Sequence, residues 1–264
     1  MSDDPQRRRA LADRLADSAG EVIRPYFRKR VDITDKGKDG FFDPVTEADR
    51  RAEETIRALI AEYFPDDGIL GEEFGETKGS SGYRWVLDPI DGTRAFIAGQ
   101  PLWGTLIALE HHGRPLLGVL DQPFLRERLT GFSGKAELKN PDGREWLKTR
   151  ACERLADAVI CTTHPMLHFN DELRARYWRL ERACRLSRYG GDCYAYALIA
   201  MGFTDLVIEA DLKRWDIAAI IPIIEGAGGI VTDWSGGPAG AGGNVIAAGD
   251  ARIHAEALAI LNAG

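Results

Sequence analysis

The chain has 264 residues and a formal net charge of −7, with 44% hydrophobic and 28% charged side chains. That length buries a substantial core, in one domain or two packed halves, and the mixed composition without a low-complexity tract specifies a soluble globular protein. The acidic balance argues against nucleic acid as the main partner and leaves no polybasic patch for a membrane.

The segment Met1 to Pro5 lacks the apolar stretch of a secretory signal. Leu11, Leu15, Val22, Ile23, Tyr26 and Phe27 recur with helical period and predict a helix over 7–28 that ends near Pro25, with Arg7-Arg8-Arg9 on a solvated face. Residues 31–42, with Lys36, Gly37, Lys38 and Gly40, read as a mobile loop or hairpin. A second helix should begin at Thr46, carry Ala52, Ile56, Leu59, Ile60 and Tyr63 inward, and stop before Pro65. Asp49 stands three residues after Thr46, a spacing close to a capping box. Gly68 to Leu70 is a short strand leading into Glu72-Glu73, and Gly75 to Gly82 is a loop. Paired glutamates are ordinary surface in isolation; a strand end with a glycine hinge gives these two more interest.

The stretch Val86-Leu87-Asp88-Pro89-Ile90-Asp91-Gly92-Thr93-Arg94 is the most informative in the chain. A strand-like apolar run ends in two aspartates three apart. Asp-Pro and Asp-Gly are common turn dipeptides, yet two carboxylates at a rigid strand end also suit a hard divalent cation such as Mg²⁺. The Ile90 carbonyl would face the same space. Gly92 allows close backbone approach to an anion, and Thr93 offers a hydroxyl to a water or phosphate.

Strands follow over 84–87, 102–110, 115–121 and 126–132, with a tight turn at Gly113 and Arg114. After the Asn140 to Gly143 turn a boundary falls near 145–152, dividing the chain into halves at 1–148 and 149–264. The second half alternates strands near 157–162, 183–187, 204–209, 229–233 and 244–248 with helices near 170–180, 192–201, 215–226 and 250–262. A strand-rich half followed by alternating strand and helix implies a layered α/β architecture. Asp216 opens a helix that is apolar on nearly all faces and therefore buried; its carboxylate suits the helix dipole and equally a rigidly held metal. The longest apolar run, Ile217 to Ile224, contains Pro222 and is far short of a membrane span. Cys152, Cys161, Cys184 and Cys193 form no Cys-x-x-Cys pair, so they read as reduced thiols of a cytoplasmic protein.

Together these segments resemble the inositol monophosphatase family of Mg²⁺-dependent phosphatases. The tryptophan-led strand ending in Asp-Pro-Ile-Asp-Gly-Thr stands at Trp85 to Thr93, the Gly-Glu-Glu motif at Gly71 to Glu73, and Val-Thr-x-x-Asp at Val45 to Asp49. The late Trp-Asp-x-Ala-Ala motif stands at Trp215 to Ala219, and the Glu-Ala-Gly-Gly turn appears as Glu225-Gly226-Ala227-Gly228-Gly229. The resemblance implies an α-β-α-β-α sandwich, a homodimer, and two to three Mg²⁺ ions acting on a small-molecule phosphate ester. By matched position Glu72, Asp88, the Ile90 carbonyl and Asp91 would hold a first ion, and Asp88, Asp91 and Asp216 a second. Asp49 and Glu72 would reach a third through waters. Thr93, bonded to Asp49, would orient the attacking water, and the amides around Gly92 and Thr93 would bind phosphate. Arg94 replaces the threonine or lysine often found there, adding positive charge near the phosphate.

The region that sets substrate choice, 185–210, carries Arg188-Tyr189-Gly190-Gly191-Asp192 and later Glu209. It is similar to the histidinol-phosphate phosphatase branch, whose substrate bears an ammonium and an imidazole that Asp192 and Glu209 could pair with; Asp192 could also be a helix N-cap. Inositol 1-phosphate, nucleotides and sugar bisphosphates are the alternative substrates. A non-catalytic member would be expected to lose a metal acid, and all are present.

Overall fold

The computed structural model describes residues 5–30, 33–36 and 44–263. Its first layer is a pair of helices, α1 (Pro5–Ile23) and α2 (Glu47–Tyr63). Their apolar stripes, Leu11, Leu15, Ala19 and Ile23 on one and Ala52, Ile56 and Ile60 on the other, are buried, as the helical period requires. Tyr63, expected inward, is among the exposed aromatics at the end of α2. Arg8, expected on a solvated face, is buried and makes a two-pronged bond to Asp67 at 2.9 and 2.8 Å. A short antiparallel pair, β1 (Ile33–Asp35) and β2 (Pro44–Thr46), precedes α2; the intervening Lys38 lies outside the described residues.

The second layer is an eight-stranded sheet. It is built from β3 (Gly68–Gly71), β4 (Gly75–Thr77), β5 (Tyr83–Asp91), β6 (Gly104–His111), β7 (Arg114–Gln122), β8 (Glu127–Phe132), β9 (Lys135–Asn140) and β10 (Gly143–Trp146). The order is β10-β9-β8-β7-β6-β5-β3-β4, antiparallel except where β3 runs parallel to β5. Trp85, Leu87, Ile107, Leu109, Leu117 and Val119 face α1 and α2, while Val86, Leu106, Ala108, Leu120 and Leu129 alternate to the other side.

That other side packs on a third, helical layer: α5 (Asp192–Ala200), α6 (Arg214–Ile217) and α7 (Ile220–Gly226), reached after a short helix α3 (Thr93–Ile97) and α4 (Asp171–Ala183). The long apolar helix expected over 215–226 is broken into α6 and α7, one turn before Pro222, which has no N–H to give to Ala218. A five-stranded sheet forms the fourth layer, in the order β12 (Leu186–Tyr189), β11 (Val159–Thr162), β13 (Leu206–Leu212), β15 (Gly243–Ala248), β14 (Ile230–Asp233). Its outer face buries Ile160, Leu206, Ile208 and Ile246 against α4 and α8 (Ala251–Asn262). The result is an α-β-α-β-α sandwich. The central helices share one apolar cluster with both sheets, so the two halves of the chain meet on a common core.

Candidate metal centre and active site

The site grows from an irregularity in β5. In a regular strand, residues three apart point to opposite faces. Here Asp88 pairs with Leu106 of β6 and Asp91 with Gly104, so three steps on β5 oppose two on β6. This is a β-bulge, and it re-aims one side chain. Pro89 sits in it and brings no N–H to the ladder; its carbonyl accepts a 2.8 Å bond from the buried Thr105 hydroxyl. The Ile90 amide donates to Asp88 Oδ1 at 3.1 Å and locks the first carboxylate. Gly92 then turns the chain with φ 87°, where a Cβ would crowd the Leu102 carbonyl and Asp192.

Both aspartates thus reach one cleft of about 440 Å³, lined also by Glu72, Ile90, Gly92, Thr93, Arg94, Asp192, Glu209 and Asp216. Asp216 arrives from the first turn of α6, where the Lys213 amide donates to its Oδ2 at 2.6 Å. Asp91 is fixed from α5, accepting the Cys193 amide at 2.7 Å. Asp88, Asp91 and Asp216 each offer an oxygen within 4.8 Å of the other two. Burial, then the charges of Glu72, Asp91 and Asp216, push Asp88 well above the usual carboxylate range. Burial and then Asp91 do the same to Asp216, and burial with Asp192 pushes Asp91 up to about 7. All donors are hard oxygens, crowded and mutually repelling, the set that a divalent cation such as Mg²⁺ or Ca²⁺ satisfies.

Glu72 and Glu73 follow β3 and are held by a residue that no sequence motif marks. Glu53 of α2, fully buried, accepts the Glu73 amide at 2.8 Å and the Phe74 amide at 3.2 Å, and is paired with Arg57 Nε at 2.7 Å. Gly71 is the hinge because a Cβ there would overlap the Glu53 carboxylate. Lys36 of the preceding segment reaches the site, with Nζ 2.9 Å from Glu72 Oε1 and 2.8 Å from Glu73 Oε1. Burial opposes its charge, but the two glutamates outweigh burial and hold its pKa above the ordinary lysine value.

Three expected contacts take a different form. Asp49 is buried, within reach of the Glu73 and Glu72 charges, and does not line the cleft; its Oδ2 accepts the Thr46 amide at 2.8 Å and the Thr46 hydroxyl at 2.6 Å, completing the capping box. Thr93 donates its hydroxyl to the Ile90 carbonyl at 3.1 Å, not to Asp49. Arg188 is exposed on the edge strand β12, opposite Cys161, and does not line the cleft.

The far end of the cleft carries Asp192 and Glu209. Asp192 is the first residue of α5, with Gly191 in the N-cap position, and adopts a left-handed φ of 43°, unusual for a non-glycine residue. Burial pushes it up to about 6, with Arg94 acting in the opposite direction. Glu209, on β13, accepts the Thr163 amide at 2.6 Å, the Thr163 hydroxyl at 2.9 Å and the Thr162 hydroxyl at 3.3 Å. Burial, only partly offset by these bonds, pushes it up to about 8. His168, a loop residue by sequence, also lines the cleft, its pKa lowered by burial and then by Arg94. Tyr196 lies one turn beyond Asp192 on the same face of α5; it lines the cleft, and its buried hydroxyl has no hydrogen-bond partner among the described residues. Helix α5 is apolar on nearly all faces, so no period singles out Tyr196, and only the tertiary structure sets it at the cleft.

A sequence profile of the inositol monophosphatase family matches residues 4–263. The chain is 46% identical over 260 residues to the bifunctional phosphatase IMPL2 of Arabidopsis thaliana, covering 94% of this chain and 73% of that one. It is 41% identical over 233 residues to a histidinol-phosphatase of Chlorobaculum parvum, covering 86% and 85%. An inositol monophosphatase structure from Zymomonas mobilis superposes with a TM-score of 0.87 at 43% identity, covering 100% of both chains.

Proposed function

The chain belongs to the inositol monophosphatase family of metal-dependent phosphatases, and we propose that it hydrolyses histidinol phosphate using Mg²⁺. The observation that carries the substrate choice is the second pair of acids, Asp192 and Glu209, in the same cleft as the Asp88, Asp91 and Asp216 cluster. A phosphate ester with a nitrogenous head matches that division: anion toward the metals, nitrogen toward the second pair. The similarity to a histidinol-phosphatase supports the same reading.

In this reading Glu72, Asp88, Asp91, Asp216 and the Ile90 carbonyl would hold two to three Mg²⁺ ions. When bound, these ions supply the acidity that turns a water into hydroxide near neutral pH and offset the charge that develops on the leaving oxygen. The protein's own share is positioning, because phosphoryl transfer leaves little covalent work for side chains. Amides at Gly92 and Thr93, on the left-handed turn that lines the cleft, would take phosphate oxygens, with Arg94 adding charge. The Thr93 hydroxyl donates a hydrogen bond to the Ile90 carbonyl and keeps lone pairs free to accept from the attacking water. Asp192 and Glu209 would bind the organic head and so align the ester bond for in-line displacement.

The test is phosphate release from histidinol phosphate, inositol 1-phosphate and a nucleotide 3′-phosphate in MgCl₂. A kcat/KM for histidinol phosphate about 100-fold above the others is expected, since a site with buried polar groups rejects ligands that leave them unpaired. Asp192→Asn should shrink that preference. Equal rates, or a preference for inositol 1-phosphate, would overturn the substrate reading and leave the phosphatase activity standing.

A further inference from the structure

We propose that Tyr196 determines specificity by donating its hydroxyl to the unprotonated nitrogen of the substrate's imidazole, a role that rests on the histidinol phosphate reading. The tyrosine is 4% exposed and lines the cleft, and its hydroxyl, shielded from solvent, has no partner among the described residues. Other buried tyrosines do not share this state: Tyr194, two residues earlier on α5, donates to Glu127, and Tyr177 donates to Glu181 at 3.3 Å. A buried hydroxyl without a partner is costly, so one retained at a cleft wall calls for a ligand atom to satisfy it.

The chemistry of the neighbours selects the ligand atom. Glu209 faces the same cleft, and its Oε2 carries a single long bond, 3.3 Å from the Thr162 hydroxyl, leaving acceptor capacity. A neutral imidazole has one N–H donor and one bare nitrogen acceptor. The Glu209 carboxylate complements the first and the Tyr196 hydroxyl the second. An inositol ring, all hydroxyls, needs no such donor and acceptor held apart. Tyr196 stands four residues after Asp192, so one face of α5 presents both a carboxylate and a phenol to the head group.

The experiment is Tyr196→Phe, which keeps the ring and removes the oxygen. Steady-state kinetics of the Mg²⁺-loaded enzyme are compared on histidinol phosphate and on 4-nitrophenyl phosphate, which has no imidazole. The kcat/KM for histidinol phosphate should fall about tenfold further than that for 4-nitrophenyl phosphate, chiefly through KM, the effect of one buried hydrogen bond. Because the hydroxyl is unpaired in the free protein, the substrate-free thermal midpoint of Tyr196→Phe should equal or exceed that of the wild type. Equal losses on both substrates, no loss on either, or a lowered midpoint would overturn the assignment. If the wild type prefers histidinol phosphate and Tyr196→Phe matches it, only the tyrosine's role falls; if the wild type shows no such preference, both inferences fall.

Discussion

Replacing Asp49 by Asn should stabilise the metal-free protein at alkaline pH. Asp49 is 2% exposed and receives two bonds from Thr46, yet burial, followed by the Glu73 and Glu72 charges, outweighs those bonds and pushes its carboxyl from 3.8 up to about 7. A raised carboxyl means that the folded state binds the proton more tightly than the unfolded chain does. Its contribution is therefore fully present below the unfolded value, declines as pH rises, and is lost once pH passes the folded value. Every tenfold difference in proton affinity between the two states is worth about 1.4 kcal/mol, so the ionised carboxylate places a burden of about 4 kcal/mol on the folded state at pH 8. Asparagine keeps an acceptor for Thr46, carries no charge, and turns its amide toward the two glutamates. Urea unfolding in EDTA at pH 5, 6.5 and 8 would measure the effect: the wild type should weaken with pH, and Asp49→Asn should weaken less. Added MgCl₂ should narrow the gap, because a cation beside Glu72 relieves the same repulsion. A variant less stable than the wild type at pH 8 without metal would refute this account.

Two other substitutions probe the architecture around the site. Gly71→Ala should displace the Glu53 carboxylate from Arg57 and from the Glu73 amide, costing about 3 kcal/mol in urea unfolding, as expected when a buried ion pair is broken, together with most of the turnover; wild-type stability would show that Glu53 does not hold the turn. Arg188→Ala should leave kcat/KM for histidinol phosphate within about twofold, since an exposed side chain on β12 away from the cleft contributes little; a larger loss would mean that the substrate extends over that edge.

Much of this was legible in the sequence because it is local. The Asp88 to Thr93 segment, the Thr46–Asp49 cap and the alternation of strands and helices after residue 150 all follow from spacing within one element. What escaped was set by partners far along the chain. Asp91 is oriented by an amide 102 residues away, and Glu53 by a turn 20 residues on. The strands β9 and β10 carry mostly polar side chains, with Ala136 and Leu138 the buried contacts of β9, so pattern alone marks no strand on either side of the Asn140 to Gly143 turn. Arg188 was misleading because the inward face of an edge strand depends on a register that local sequence does not state. Thr93 and Asp49 belong to separate motifs of the same family, but in this chain the Thr93 hydroxyl donates to the nearer Ile90 carbonyl and Asp49 Oδ2 accepts from the nearer Thr46.

The bulge in β5 has a consequence for how this chain can change. Its two aspartates converge because one extra residue interrupts the alternation. Straightening the bulge while keeping the three-residue spacing would remove neither acid, yet it would restore the regular pleat and turn one carboxylate toward α1 and α2. Competence here is a matter of reading frame along a strand as much as of residue identity. A relative carrying the same acids at the same spacing on a strand paired without the bulge would look complete in composition and still be unable to bring those acids together.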